Sequence, residues 1–290
     1  MPDLPRVAGL WIGGSLSWLE QLCLTSFVQI GHPTALYTYG QVDGVPEGVE
    51  ICDGNDIMPD PEVYTHERSG SVALFSDVFR YHLIKNAPGT IWIDTDIYAV
   101  RPIEPETPYV FGYETDRQMN GAVLGMPHDS EMLGMLLDLT SDPYNIPEFH
   151  NPRARERHRL AKEAGTPVHA SEMPWGVWGP HAVTWAAKKS GNADKAQARE
   201  VYYPVHFAER NLFFKRPRLV MNMIKPETLT VHIWGRIKRV SGKRHDGGVP
   251  ANCWLDRLCQ QHGIDPMAAP ITSHGKFDFT EDTPEETAEG

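Results

Sequence analysis

Residues 90–101, Thr-Ile-Trp-Ile-Asp-Thr-Asp-Ile-Tyr-Ala-Val-Arg, constrain this chain more than any other stretch. The β-branched and aromatic run 90–93 reads as a short buried strand that stops at two carboxylates, Asp94 and Asp96, before a second apolar run over 97–100. A parallel strand of an open α/β sheet ends at the crevice where ligands bind, so acids placed there serve chemistry better than packing. Two carboxylates one residue apart repel and raise each other's proton affinity unless a cation lies between them. A divalent ion is the simplest remedy. Oxygen ligands select hard ions such as Mg²⁺ or Mn²⁺, which keep positions open for phosphate oxygens. Upstream, the apolar stripe Val72, Phe75, Val78, Phe79 and Leu83 predicts a helix leading into the strand, with Asp77 and Arg80 on one face. Taken alone, the two aspartates would be a turn or a cap, and Asp77 with Arg80 a solvated i,i+3 pair. Their place around one strand end favours metal and substrate contact.

The chain opens with a β-α-β pattern. Residues 7–12 are apolar and run into Gly13-Gly14; Ser15 is the expected N-cap of a helix carrying Leu16, Leu19, Leu22, Cys23, Phe27 and Ile30 inward; Gly31-His32-Pro33 breaks it; residues 34–39 form the next strand. That order implies a parallel, right-handed unit. Residues 41–69, rich in Gly, Pro and acids, read as a surface excursion with a brief strand at 49–52. Strands are expected at 109–113, 122–126 and 229–233, and helices at 130–139, 181–189 and 253–261. Between 143 and 191 lies a variable lobe with a charged helix and the aromatic stretch 173–180, where Trp175 and Trp178 suit the apolar faces and polar edges of sugars.

At 290 residues the chain fits one domain over 1–265, with a first half at about 1–126, a second at about 127–265, and an acidic, disordered tail at 266–290. A formal net charge of −11 argues against a nucleic-acid-coating surface, and an anionic substrate would need a local cation. The start of the chain lacks a basic segment followed by an apolar core, and no run reaches the ~20 apolar residues of a membrane span, so a cytoplasmic protein is expected. Cys23, Cys52, Cys253 and Cys259 form no Cys-x-x-Cys pair and read as reduced, buried thiols. The basic run Arg236, Lys238, Arg239, Lys243 and Arg244 reads first as solvated surface. Its sharper readings are a mobile loop over a diphosphate, or a peripheral contact with anionic lipid on the inner face of a membrane.

The pattern Ser-Asp-x-x-Arg-Tyr at 76–81, a short turn, then Trp92, Ile93 and Asp94-Thr95-Asp96 resembles the core of the DXD-containing sugar-transferase family. These are GT-A-fold glycosyltransferases related to toxin-type glucosyltransferases and yeast-type mannosyltransferases. The turn departs from the family's Gly-Gly, being Pro88-Gly89-Thr90 here, and no functional side chain is lost by it. The resemblance covers most of 6–240 and implies an α/β fold of GT-A type, a Rossmann-like mostly parallel sheet with a C-terminal acceptor lobe. It further implies a metal-dependent hexosyltransferase, retaining, that uses Mn²⁺ or Mg²⁺, a nucleotide sugar donor, UDP-linked, and a glycan or glycolipid acceptor.

By the same resemblance Asp77, Arg80, Asp94 and Asp96 are catalytic, Trp11 stacks on the base, and Trp92 and Asn120 lie by the donor. Trp175 and Gly179-Pro180 lie on the acceptor side, with His181 a weaker candidate. His232 joins Asp94 and Asp96 at the metal, and Trp234, two residues on and on the same side of a strand, donates its indole N–H toward the diphosphate. Two other readings remain. One is a sugar-nucleotide or glycan-binding protein without turnover. The other is a haloacid-dehalogenase-like phosphatase, whose Asp-x-Asp belongs on the first strand with Gly-Thr after it, where this chain has Ile97-Tyr98 in mid-sequence.

Overall fold

The computed structural model describes residues 4–59, 61–67 and 70–272. Among them, six strands form one sheet in the order β3-β2-β1-β4-β7-β6, built from β1 (Val7–Trp11), β2 (Thr34–Thr38), β3 (Val49–Asp53), β4 (Ile91–Ile93), β6 (Val110–Tyr113) and β7 (Met119–Gly125). The ladders among β3, β2, β1 and β4 are parallel, and β7 runs antiparallel to both β4 and β6. The fold is therefore the α/β, mostly parallel, Rossmann-like arrangement expected. After β1 the chain winds outward through α1 (Trp18–Ile30) to β2 and β3, then returns through α2 (Ala73–Asn86) to set β4 on the other side of β1. The carboxyl ends of β1 and β4 thus flank the point where strand order reverses, which is where α/β sheets bind ligands.

The approach of β1 to β4 depends on Gly9, where an added Cβ would lie 2.7 Å from the Ile93 carbonyl oxygen. α1 begins two residues later than expected. Ser17, not Ser15, is the N-cap, because Glu20 reaches back to the Ser17 N–H at 2.9 Å and its hydroxyl at 2.6 Å, while Leu16 donates its N–H across to the Asp43 carbonyl.

β5 (Ile97–Ala99) leaves the central sheet and pairs antiparallel with β8 (Thr230–His232), register Ile97 to His232. The remaining helices are α3 (Glu131–Thr140), α4 (Pro152–Glu163), α5 (Pro180–Lys189), α6 (Arg199–Tyr202), α7 (Pro217–Met221), α8 (Ile237–Arg244) and α9 (Trp254–His262). One apolar cluster joins the sheet to α2, α3 and α5 through Phe75, Phe79, Trp92, Phe111 and Trp178. Another gathers Trp18, Leu22, Tyr98, Val231, Trp234 and Trp254 around α1, β8 and α9.

The basic run expected as solvated surface or a mobile loop belongs to the helix α8 and its N-cap, which packs through Ile237 and Ser241 and leaves Arg236, Lys243 and Arg244 exposed. The stretch from 266 still contributes to the fold: the Ala269 carbonyl accepts the Trp18 N–H at 2.9 Å and Ile271 is buried. The rest of the expected tail, 273–290, lies outside the described residues. Among the described residues no helix is long and apolar enough to cross a membrane.

Candidate metal centre

Asp94 follows β4 directly. Its N–H donates to the Ala122 carbonyl of β7 (2.8 Å), and its carbonyl accepts the Ile97 N–H (3.0 Å), closing a turn that carries both aspartates. Asp94 Oδ1 accepts the Trp92 indole N–H at 2.7 Å and faces Arg80 Nη2 at 3.2 Å. Arg80 is only 4% exposed and lies 5.0 Å over the Trp92 ring. It donates Nη1 to the Gly121 carbonyl (2.7 Å) and meets Asp77 Oδ1 at 3.1 Å, one turn earlier on α2.

Two glycines make room for this network. A Cβ at Gly179 would stand 2.8 Å from Asp77 Oδ1, and one at Gly121 would stand 2.9 Å from Arg80 Nη1. Burial drives the Asp77 carboxyl up to about 7, with Arg80 pulling it down and Asp94 pushing it further up. Asp77, Arg80 and Trp92 therefore brace Asp94 from below, and Trp92, fully buried with its N–H already donated, presents no face to a ligand.

Asp96 is held from the other end of the chain. Its Oδ1 lies 3.3 Å from His232 Nε2 and its Oδ2 accepts the Gly235 N–H at 2.6 Å. Burial alone would lower the His232 pKa, but the Asp96 carboxylate beside it raises it overall. Burial likewise works against Asp96 ionisation, yet His232, the Gly235 N–H and Lys238 bring its pKa below the usual range. Trp234 stacks on His232 at 3.8 Å between ring centroids. Its φ of 63° is a strained, left-handed conformation for so bulky a residue. Its indole N–H, expected to reach a diphosphate, is donated to the Val205 carbonyl at 3.0 Å.

Asp94, Asp96 and His232 each offer one ligand atom, all within 4.8 Å of one another, so the triad could hold a metal ion. Two carboxylates and an imidazole are a donor set for a divalent cation. His232 Nδ1 is buried without a hydrogen-bond partner, the kind of vacant valence a bound ion or its surroundings would satisfy.

Trp11 ends β1 beside the same crevice, half-buried, its indole N–H without a partner. Lys238 Nζ lies 5.1 Å over its ring and 2.5 Å from the buried Glu20 carboxylate, so this cation of the basic run is turned inward. Asn120 is buried and doubly engaged, its Oδ1 with the Ala122 N–H (2.7 Å) and its Nδ2 with Glu114 Oε2 (2.5 Å). Pro180 is the first residue of α5, placed after Gly179 against Asp77. Trp175 is 55% exposed and packs edge-on against His66. His181 packs edge-on near Phe149, and burial lowers its pKa.

Glu114 is the residue that sequence reasoning missed. It sits in a polar hairpin, Glu-Thr-Asp-Arg-Gln, that reads as an ordinary turn, and no spacing marks it. Burial raises its carboxyl pKa, while Asn120, His232, Gln118 and His206 pull it back.

Fold and triad together define an α/β protein with a site at its strand-order reversal that could hold a divalent ion. The solved structure named PaToxG Glycosyltransferase is similar to this chain at 16% identity, over 67% of this chain and 76% of its own, with a TM-score of 0.40. No protein-family model matches the chain, and no curated protein does.

Proposed function

We propose that this chain is a metal-dependent glycosyltransferase that moves a hexose from a UDP-linked nucleotide sugar to a hydroxyl of a glycan or glycolipid, with retention at the anomeric carbon. The observation that carries the reading is the meeting of Asp94, Asp96 and His232, up to 138 positions apart in sequence, at the carboxyl end of β4. The sequence pattern around Asp77, Arg80, Asp94 and Asp96 supports it independently. Bound at the triad, Mn²⁺ or Mg²⁺ would supply Lewis-acid stabilisation of the charge on the leaving diphosphate.

The chain's own residues do the rest. Arg80 and Trp92 fix one oxygen of Asp94 and leave the carboxylate's other acceptor positions for a ligand. Gly235 fixes Asp96, and the stacked Trp234 fixes the His232 ring. Half-buried Trp11, with Lys238 over one face of its ring, offers the other face for the base, and the second half of the chain offers Trp175 and the Gly179-Pro180 corner on the acceptor side.

The test is hydrolysis of UDP-glucose, UDP-galactose and UDP-N-acetylglucosamine, followed as UDP release, with and without Mn²⁺, beside thermal shifts with the same compounds. A ligand that binds only the folded state raises stability with its concentration. At least one donor is expected to stabilise the protein and turn over in a chelator-sensitive way. Turnover that persists in excess chelator would remove the metal from the reading. No shift and no turnover with any UDP-sugar would overturn the UDP-linked donor.

A further inference from the structure

The β6–β7 hairpin carries a carboxylate into the same crevice. β7 is antiparallel to β4 with Ile93 opposite Val123, so residues before Val123 run on past the carboxyl end of β4. Asn120 lies in that overhang, paired with Gly112 of β6, and Glu114 follows just beyond the β6 strand. The Glu114 N–H closes the hairpin onto the Gln118 carbonyl at 2.9 Å.

The Glu114 side chain is held by two amides. Gln118 Nε2 donates to Oε1 at 2.7 Å and the buried Asn120 Nδ2 donates to Oε2 at 2.5 Å. Asn120 cannot turn freely, because its Oδ1 takes the Ala122 N–H. Tyr203 ties this hairpin to the triad: its hydroxyl donates to the Asn120 carbonyl at 3.5 Å and its ring centroid lies 5.9 Å from that of His232, whose pKa the Glu114 charge helps to raise. An ionised carboxylate has about four acceptor positions and no donor. Two are used here. The others belong to a rigid, half-buried group that needs hydrogen-bond donors, and sugar hydroxyls are donors.

Resting on the glycosyltransferase reading, we propose that Glu114 is a specificity-determining residue whose carboxylate accepts hydrogen bonds from hydroxyls of the transferred sugar, with Asn120 and Gln118 as the positioning residues that aim it. This reassigns Asn120 from contacting the donor to holding the group that does. It also explains why two side-chain amides converge on one carboxylate.

The deciding experiment is calorimetric titration, in Mn²⁺, of UDP and of the UDP-sugar that wild type binds most tightly among UDP-glucose, UDP-galactose and UDP-N-acetylglucosamine. In Glu114→Gln, which keeps the shape and removes the charge, affinity for the UDP-sugar should fall about tenfold or more, as expected for a hydrogen bond to a charged group, while affinity for UDP changes less than about twofold. Gln118→Ala should show the same selective loss at smaller size, and serves as the readout if Glu114→Gln does not fold. Equal loss of UDP and UDP-sugar, or no loss of either, overturns the assignment of Glu114 and leaves the glycosyltransferase reading standing. Wild type that binds UDP but gains or loses nothing from any attached sugar overturns it too. Wild type that binds neither overturns the UDP-linked donor and, with it, the assignment of Glu114.

Discussion

The two aspartates of the triad stand in different surroundings. Asp94 is set by Trp92, Arg80, Asp77 and the carbonyl of Gly121, a buried network whose members come from residues 77–121 and whose charges compensate. Asp96 is set by His232, Gly235 and Lys238, from residues more than 130 further along, and that side keeps an unpartnered His232 Nδ1 and a left-handed Trp234. One side is a closed brace, complete without a ligand. The other holds an unsatisfied valence and backbone strain, features that a bound cation and substrate can offset. The difference teaches that the site sets a carboxylate braced by nearby chain against an imidazole–carboxylate pair assembled from the far end of the chain, and only the second keeps an unfilled valence.

The sharpest way to break this contrast is to compare Arg80→Ala with His232→Ala in the metal-free protein. Removing Arg80 leaves Asp77 buried without its cation, and a loss of about 3–5 kcal/mol is expected from urea unfolding. His232→Ala should cost far less at pH 8.5. Equal losses would mean that the two sides are built alike.

Next in size are the two aspartates proposed to hold the metal. Asp94→Asn and Asp96→Asn should each weaken Mn²⁺ binding about a hundredfold, at the upper end of what disturbing a metal's surroundings costs, with circular dichroism unchanged. Asp94→Asn should hold the folded state better, since Trp92 can still donate to an amide oxygen. A variant that binds Mn²⁺ as wild type does takes its aspartate out of the site.

Trp11 tests whether the crevice extends along β1. Trp11→Ala should weaken UDP binding by about 1–3 kcal/mol, the scale of a lost base–aromatic stack, and leave Mn²⁺ binding alone unchanged. Unchanged UDP affinity would place the base elsewhere, and an unfolded variant would make Trp11 a core residue.

The smallest effect is the pH dependence of the His232–Asp96 side. Because Asp96 raises the His232 pKa, the imidazole is protonated at higher pH than usual, and an ion must displace that proton to use the ring nitrogen. Mn²⁺ affinity should therefore fall with decreasing pH, by at most about tenfold per unit, starting above the ordinary value of about 6.5. In His232→Ala the step should vanish. Folding linkage runs the other way. A raised histidine pKa contributes stability that is fully present below about 6.5 and lost as pH rises through the folded value. A depressed Asp96 pKa contributes stability that is present above about 3.9 and lost as pH falls through its own folded value. Metal-free wild type should thus exceed His232→Ala in stability most clearly between those limits, and thermal melts at pH 5.5 and 8.5 check it.

The β-α-β opening, the helix bearing Asp77 and Arg80, and the strand stopping at Asp94 were determined by the sequence itself. Apolar periodicity, Gly-Pro breaks and i,i+3 spacing are local information, readable within one turn or one strand. Even the start of α1 was written locally: Ser17-x-x-Glu20 is a capping box, and the nearer-looking Ser15 lacked its partner.

Tertiary structure alone decided the partners of buried polar groups. The β5–β8 register brings His232 to Asp96, the Trp234 indole goes to the Val205 carbonyl, Lys238 turns inward to Glu20 and Trp11, and Asn120 clasps Glu114. These partners lie from 6 to 227 residues apart, and no periodicity encodes which carbonyl or carboxylate a buried donor will find. That choice follows from how the helices and strands pack, because every polar group carried into the interior must be satisfied by whatever the packing brings within reach.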